Sequence, residues 1–187
     1  DLHKHVADHA IGLTNRGVHQ SITTGEWLAR HLPQRKWFHA FTRDPRARLW
    51  TSPCSRTRDT TKWILGGISN ELQRSHSHVI RDVREHLILT EQQFGLFDGL
   101  SDSALRTTFP REYKHYAKCE SANGRFWARM PLGESRFDVA VRVHQSFGTF
   151  HRDAERHGID TIVVVSHGVT IRAFVTMWCH KKWEWFD

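Results

Sequence analysis

The sequence predicts an α/β fold, a three-layer α/β/α sandwich built on a mostly parallel sheet, and three observations carry that expectation. The β-branched run Ile162-Val163-Val164-Val165 reads as a buried strand, and Val169 to Val175 directly after it reads as a helix. Leu49-Trp50-Thr51 reads as a second short strand, followed by a helix from Pro53 to about Leu65 with Gly66-Gly67 as its stop. The clearest amphipathic stretch runs from Arg136 to about His157. It places Phe137, Ala140, Val143, Phe147, Phe150 and Ala154 at three- and four-residue steps and closes at Gly158. Strands that alternate with helices in this way form parallel βα units.

The remaining elements follow local rules. Thr14 is placed to cap a helix that runs to about His31, with Val18, Ile22 and the Leu28-Ala29 pair on one face and Pro33 as its end. Ser52 suits an N-cap and Pro53 the first turn of the next helix. Val79-Ile80 belongs to a short strand that leads towards Glu91. Two short helices are expected between Asp102 and Lys118, broken at Pro110, with a loop from Ser121 to Pro131. No internal repeat, low-complexity tract or linker divides the chain, so residues 1–187 are expected to form a single domain.

Composition narrows the function classes. A length of 187 residues is enough for a proper core. The most apolar stretch, Thr161 to Trp178, is interrupted by Ser166-His167-Gly168 and Arg172, so no membrane span is expected. Cys54, Cys119 and Cys179 are odd in number and widely spaced, which fits reduced cytoplasmic thiols better than a disulfide framework. The net charge of +7, from 27 Lys and Arg against 20 Asp and Glu, is spread along the chain. No zinc finger, RNA-recognition signature or basic heptad region accompanies it, so nucleic-acid binding is not expected, and attraction of phosphorylated small molecules explains the same charge. His3, His5 and His9 have no matching cysteine or carboxylate cluster, and no metal or organic cofactor is implied.

Chemistry concentrates at two strand-to-helix junctions. His167 stands where the Ile162–Val165 strand ends and a helix begins, the place in open α/β sheets where ligands bind and where a helix N-terminus favours anions. Arg56 lies about one turn into the helix after Leu49–Thr51 and can reach back to the strand end, whereas Arg58 points elsewhere. One junction with an arginine and one with a histidine suggest a shared anion pocket. Cys54 lies in the same segment, where a packing role fits better than a nucleophilic one.

These residues resemble the histidine phosphatase (phosphoglycerate mutase-like) superfamily. Ser52-Pro53-Cys54-Ser55-Arg56-Thr57 resembles its Ser-Pro-x-x-Arg-Ala segment, and Ser166-His167-Gly168 its second catalytic histidine motif. Leu89 to Gly99 resembles its acid loop, Leu13 to Gln20 the opening of its first helix, and Pro131-Leu132-Gly133-Glu134-Ser135 the turn before its long helix. The five segments occur in the family's order along nearly the whole chain. One departure stands out: the family opens with a strand ending in Arg-His-Gly, whose histidine is phosphorylated, while this chain opens at Asp1-Leu2-His3-Lys4-His5. With no initiator Met and no strand after the last helix, the expectation is a fragment truncated at both ends, lacking the first and C-terminal strands and exposing a hydrophobic slot.

The resemblance implies phosphomonoester hydrolysis through a phosphohistidine intermediate in an intact parent, the 187 residues alone being inactive. Arg56 and His167 would bind the phosphoryl oxygens, with His167 also catalytic. Glu91 would be the general acid, a role that needs a raised pKa such as partial burial beside Phe94 could supply. Arg125 and Arg129 are candidates for binding an anionic substrate tail, and equally for solvated loop charges. A phosphoglycerate-type mutase and a non-catalytic phospho-ligand binding module are the alternatives. Oligomeric state is not legible.

Overall fold

Among the described residues, strand β1 (Ala47–Thr51) is the middle of a three-stranded parallel sheet, with β2 (Ile80–Glu85) on one side and β3 (Thr161–Val165) on the other. This is a computed structural model, and it describes residues 8–32, 47–72 and 79–186. The helices are α1 (Asn15–His31), α2 (Ser55–Leu72), α3 (Asp102–Thr108), α4 (Pro110–Asn123), α5 (Arg136–His157) and α6 (Gly168–Trp178). The α/β class and the parallel sheet expected from the sequence are present. The described chain divides into two compact units. One runs up to Leu89 and resumes over Gly148–Ser166; the other takes Thr90–Phe147 and the residues from His167 onward.

In the first unit, all five residues of β1 are buried because the strand has a neighbour on each side and helices on each face. Ala47 and Leu49 point into a core with Leu28, Ala29 and Leu32 at the end of α1, Ile64 and Ile68 of α2, and Val165 of β3. Arg48 and Trp50 point the other way, to the final turns of α5, as the two-residue period of a strand requires. Arg48 is 1% exposed, and its guanidinium donates to both carboxylate oxygens of Asp82 at 2.6 and 2.9 Å and to Asp153 of α5. Trp50 Nε1 donates to the other Asp153 oxygen at 3.0 Å, and its ring packs on Phe150. The hydrogen bond from Arg48 holds the Asp82 carboxyl below the usual carboxylate range.

Three expectations change here. Helix α2 does not stop at Gly66-Gly67 but continues to Leu72. The reason is tertiary: a Cβ on Gly67 would meet the Ile22 carbonyl oxygen at 2.1 Å, and one on Gly25 would meet the Ile64 carbonyl oxygen at the same distance. Helices α1 and α2 therefore touch backbone to backbone. On α5 the buried residue near the C-terminus is Asp153, while Ala154 is exposed, since the charge of Arg48 selects an acid at that spot. Strand β3 is also less buried than expected, half-buried over residues 161–164 and fully so only at Val165.

The N-terminal cap of α1 is as expected, with Thr14 Oγ1 accepting from Gly17 N at 3.1 Å. Pro33, expected as its end, lies outside the described residues. Helix α2 begins at Ser55 and not at Pro53. Gly158 takes φ 59 after α5, the left-handed geometry of a helix stop.

The second unit holds two cores. Phe126, Val139, Ala140, Val143, Ala173 and Phe186 form one, and Phe97, Leu105, Tyr116 and Ala128 the other. Helix α4 extends to Asn123, so the loop expected from Ser121 starts later. Among the described residues no helix is long and apolar enough to cross a membrane.

Candidate active site

The chain leaves β1 into a buried turn that sets Arg56. Ser52 is fully buried and its N–H extends the pairing with β3, donating to Val165 O at 3.0 Å. Thr57 Oγ1 donates to Ser52 O at 2.9 Å and to Cys54 O at 2.8 Å, closing the turn on itself. The Cys54 carbonyl accepts from Thr57 N and Arg58 N, so this residue opens the helix, and its side chain is 5% exposed. That environment agrees with a packing role for the thiol. Arg56 follows in the first turn of α2, its side chain 23% exposed. Its guanidinium grips Asp8 with two forked bonds, Nη1 to Oδ1 at 3.1 Å and Nη2 to Oδ2 at 3.0 Å, and also donates to Asp8 O at 2.7 Å. Arg58 points elsewhere, as its spacing predicts, and pairs with Glu85. His9 is exposed, and His3 and His5 lie outside the described residues.

Glu91 and His167 belong to the second unit. His167 is 5% exposed and supplies the backbone cap of α6, its carbonyl accepting from Ile171 N at 2.8 Å while its side chain takes no part in capping. Thr170, one turn on, donates from Oγ1 to Thr90 O at 2.7 Å. The beginning of α6 is thereby tied to the residue before Glu91. Glu91 is half-buried, and its Oε1 accepts from Gln92 N at 3.0 Å.

The loop after Glu91 is held by the turn at Glu134. Gln93 N donates to Glu134 Oε2 at 2.9 Å, Glu134 N to Gln93 O at 2.8 Å, and Gln92 Nε2 to Glu134 O at 2.8 Å. Gly95, at φ 59, brings the loop so close to this turn that a Cβ there would lie 2.2 Å from Pro131 O. Arg142 of α5 then joins the parts, pairing with both Glu134 oxygens at 2.8 and 3.1 Å and donating to Glu91 O at 3.0 Å. Sequence reasoning noted the Gly133-Glu134-Ser135 turn but gave Glu134 no role, and it missed Arg142 and Asp8. The i, i+8 spacing of Glu134 and Arg142 on one helix entry was a weak signal for the first pair. None marked Asp8.

Arg125 and Arg129 take different surroundings. Arg125 is 57% exposed, pairs with Glu120 at 3.6 Å, and borders a cavity of about 310 Å³ with Phe94, Phe97, Tyr113, Tyr116 and Met130. Arg129 is engaged by Asp138 through a fork of 2.9 and 2.8 Å, and Asp138 also accepts from the N–H and hydroxyl of Ser135. These bonds, Arg129's first, hold the Asp138 carboxyl down at about 2. A carboxyl depressed on folding adds stability above its unfolded value near 4, and that stability disappears as pH falls through the folded value. Asp138→Asn is therefore expected to cost roughly 1–2 kcal/mol at pH 7, reduced by solvent screening of the exposed arginine, and to flatten the stability loss between about pH 4 and pH 2. Urea unfolding at a series of pH values measures both.

The N-terminal Arg-His-Gly motif has no counterpart after a described strand. The tripeptide does occur, at Arg156-His157-Gly158, but there it ends α5, His157 is exposed, and the chain enters β3 instead of leaving it. It caps a helix and presents no imidazole at a strand end.

Arg56 thus stands in the first turn after β1, the buried His167 stands at the start of α6, and Glu91 sits in a tightly braced loop. The chain belongs to the histidine phosphatase superfamily (branch 1), whose family profile matches residues 3–187. The phosphoglycerate mutase-like protein AT74H of Arabidopsis thaliana is 32% identical over 183 residues, 94% of this chain and 58% of that protein. The broad-range acid phosphatase DET1 of Saccharomyces cerevisiae is 31% identical over 109 residues, 56% of this chain and 30% of that protein. A mycobacterial glucosyl-3-phosphoglycerate phosphatase shares the fold, with a TM-score of 0.58 at 21% identity over 94% of this chain and 71% of that one. The chain thus spans little more than half the length of its Arabidopsis relative.

Proposed function

We propose that the protein to which these residues belong hydrolyses phosphomonoesters of small molecules through a phosphohistidine, with Arg56 and His167 binding the phosphoryl group and Glu91 as general acid. The observation that carries this reading is the bracing of Glu91. Its loop is fixed by the Glu134 turn, by Arg142 and by Thr170, in the unit that also holds the buried His167. A proton donor must be held within hydrogen-bond reach of the leaving oxygen, and a loop so restrained meets that need.

The chemistry runs in two steps. A histidine nitrogen attacks phosphorus as the bond to the ester oxygen breaks, and Glu91 gives that oxygen its proton so that the alcohol departs. Water then attacks the phosphohistidine, Glu91 takes back a proton, and inorganic phosphate leaves. Through both steps Arg56 and His167 hold the charge on the phosphoryl oxygens. The attacking histidine belongs to a strand ending in Arg-His-Gly, which we place in sequence outside these 187 residues. The cavity beside Phe94 and Arg125 would receive the alcohol part of the substrate. Hydrolysis is favoured over transfer to a second hydroxyl because relatives named as phosphatases occur among both the sequence and the structural matches.

The test is to produce the longer protein and expose it, alongside residues 1–187 alone, to labelled p-nitrophenyl phosphate and a panel of alkyl phosphates. The longer protein is expected to release phosphate and to trap an acid-labile, base-stable phosphoenzyme on quenching, while the shorter chain does neither. A longer protein with no turnover and no phosphoenzyme overturns the reading.

A further inference from the structure

We infer that Arg142 and Glu134 form a positioning pair that aims the Glu91 carboxyl at the leaving oxygen, an inference that rests on the function proposed above. Arg142 enters from α5, and one guanidinium nitrogen, Nη2, serves two partners, Glu91 O at 3.0 Å and Glu134 Oε2 at 3.1 Å. Its Nε binds the other Glu134 oxygen at 2.8 Å, so the fork is fixed in plane. Glu134 passes the restraint on, accepting from Gln93 N while its own backbone N–H and carbonyl take Gln93 O and the Gln92 side chain. Every residue from Glu91 to Gln93 is thus tied to this ion pair, whose two side chains are each 19% exposed.

The bonds described run to the backbone of residue 91 and to Gln92 and Gln93, so through them the pair acts on the loop and not on substrate. Its effect must come through the direction of the Glu91 side chain. A displacement of about 1 Å of an acid that must meet one particular oxygen can cost on the order of 100-fold in rate. A lysine at 142 would keep the charge but could not bridge Glu91 O and both Glu134 oxygens with a rigid fork.

The readout that separates positioning from general destabilisation is the leaving group. An alkyl alkoxide needs the proton of Glu91, whereas p-nitrophenolate departs with little help. In the longer protein, Arg142→Met and Glu134→Gln are each expected to lower kcat/KM for an alkyl phosphate at least 10-fold more than for p-nitrophenyl phosphate. Arg142→Lys should recover part of that difference. Glu134→Gln keeps the backbone bonds of the turn, so it remains informative if Arg142→Met fails to fold; circular dichroism and thermal melts report that directly. Equal losses for the two esters, or no loss, in a folded variant overturn the inference while leaving the phosphatase reading intact. An inactive parent protein removes both.

Discussion

Glu91→Gln in the longer protein is expected to lower kcat/KM for alkyl phosphates by about 10²- to 10⁴-fold, the span over which a positioned proton donor accelerates such reactions. The change is nearly isosteric. The Gln oxygen can still accept from Gln92 N, and the carbonyl of residue 91 still receives Arg142, so the loop should keep its shape. Only the transferable proton is lost. The deficit should shrink towards p-nitrophenyl phosphate, and phosphoenzyme made from that ester should accumulate, because the same residue is needed to activate water. Steady-state kinetics on the two esters, with quench-flow detection of the phosphoenzyme, checks both statements. A uniform and small loss would assign the acid role to another group.

The second large effect concerns stability. Arg48→Met is expected to cost about 3–5 kcal/mol, the range seen when one partner of a buried ion pair is removed. Asp153 is 4% exposed, and without the guanidinium its carboxylate would keep the Trp50 N–H and a longer ion pair to Arg84 at 3.9 Å. Asp82, at the sheet edge, is more accessible and contributes less to the penalty. A loss of this size is a large share of the stability of an ordinary domain. Converting Arg48, Asp82 and Asp153 together to apolar residues of similar volume should recover most of it, since the cost arises from the uncompensated charge and not from an empty space. Equilibrium urea unfolding of the single and triple variants decides the matter.

What was legible in the sequence was what local pattern decides. The extent of α5, the Thr14 cap and the two βα junctions follow from spacing within a few residues, and all three stand close to where they were expected, although Phe137 and Ala154 of the expected α5 stripe are exposed. What was illegible depended on distant partners. Gly66-Gly67 has the local look of a helix stop, yet Gly67 is spent on contact with α1, some forty residues away. The buried position on α5 went to Asp153 and not Ala154 because Arg48 needs a counter-charge, which no helical period reveals. Within the candidate site, Arg56, Glu91 and His167 were visible through motifs, whereas Asp8 and Arg142 bind across long loops and match none. For Arg129 neither a substrate contact nor a solvated loop charge describes the outcome, because its partner Asp138 lies on the next helix.

The glycine pair on α2 carries one more lesson, for comparing divergent relatives. Gly66 and Gly67 are chemically identical neighbours, but a Cβ on the first would meet open space while one on the second would strike a carbonyl. Drift at position 66 is therefore free to record ancestry. A side chain at 67 would instead report that two helices have moved apart, and with them the spacing between Asp8, ahead of α1, and Arg56, at the start of α2. One letter in an alignment would then serve as a ruler for the distance between two segments of backbone.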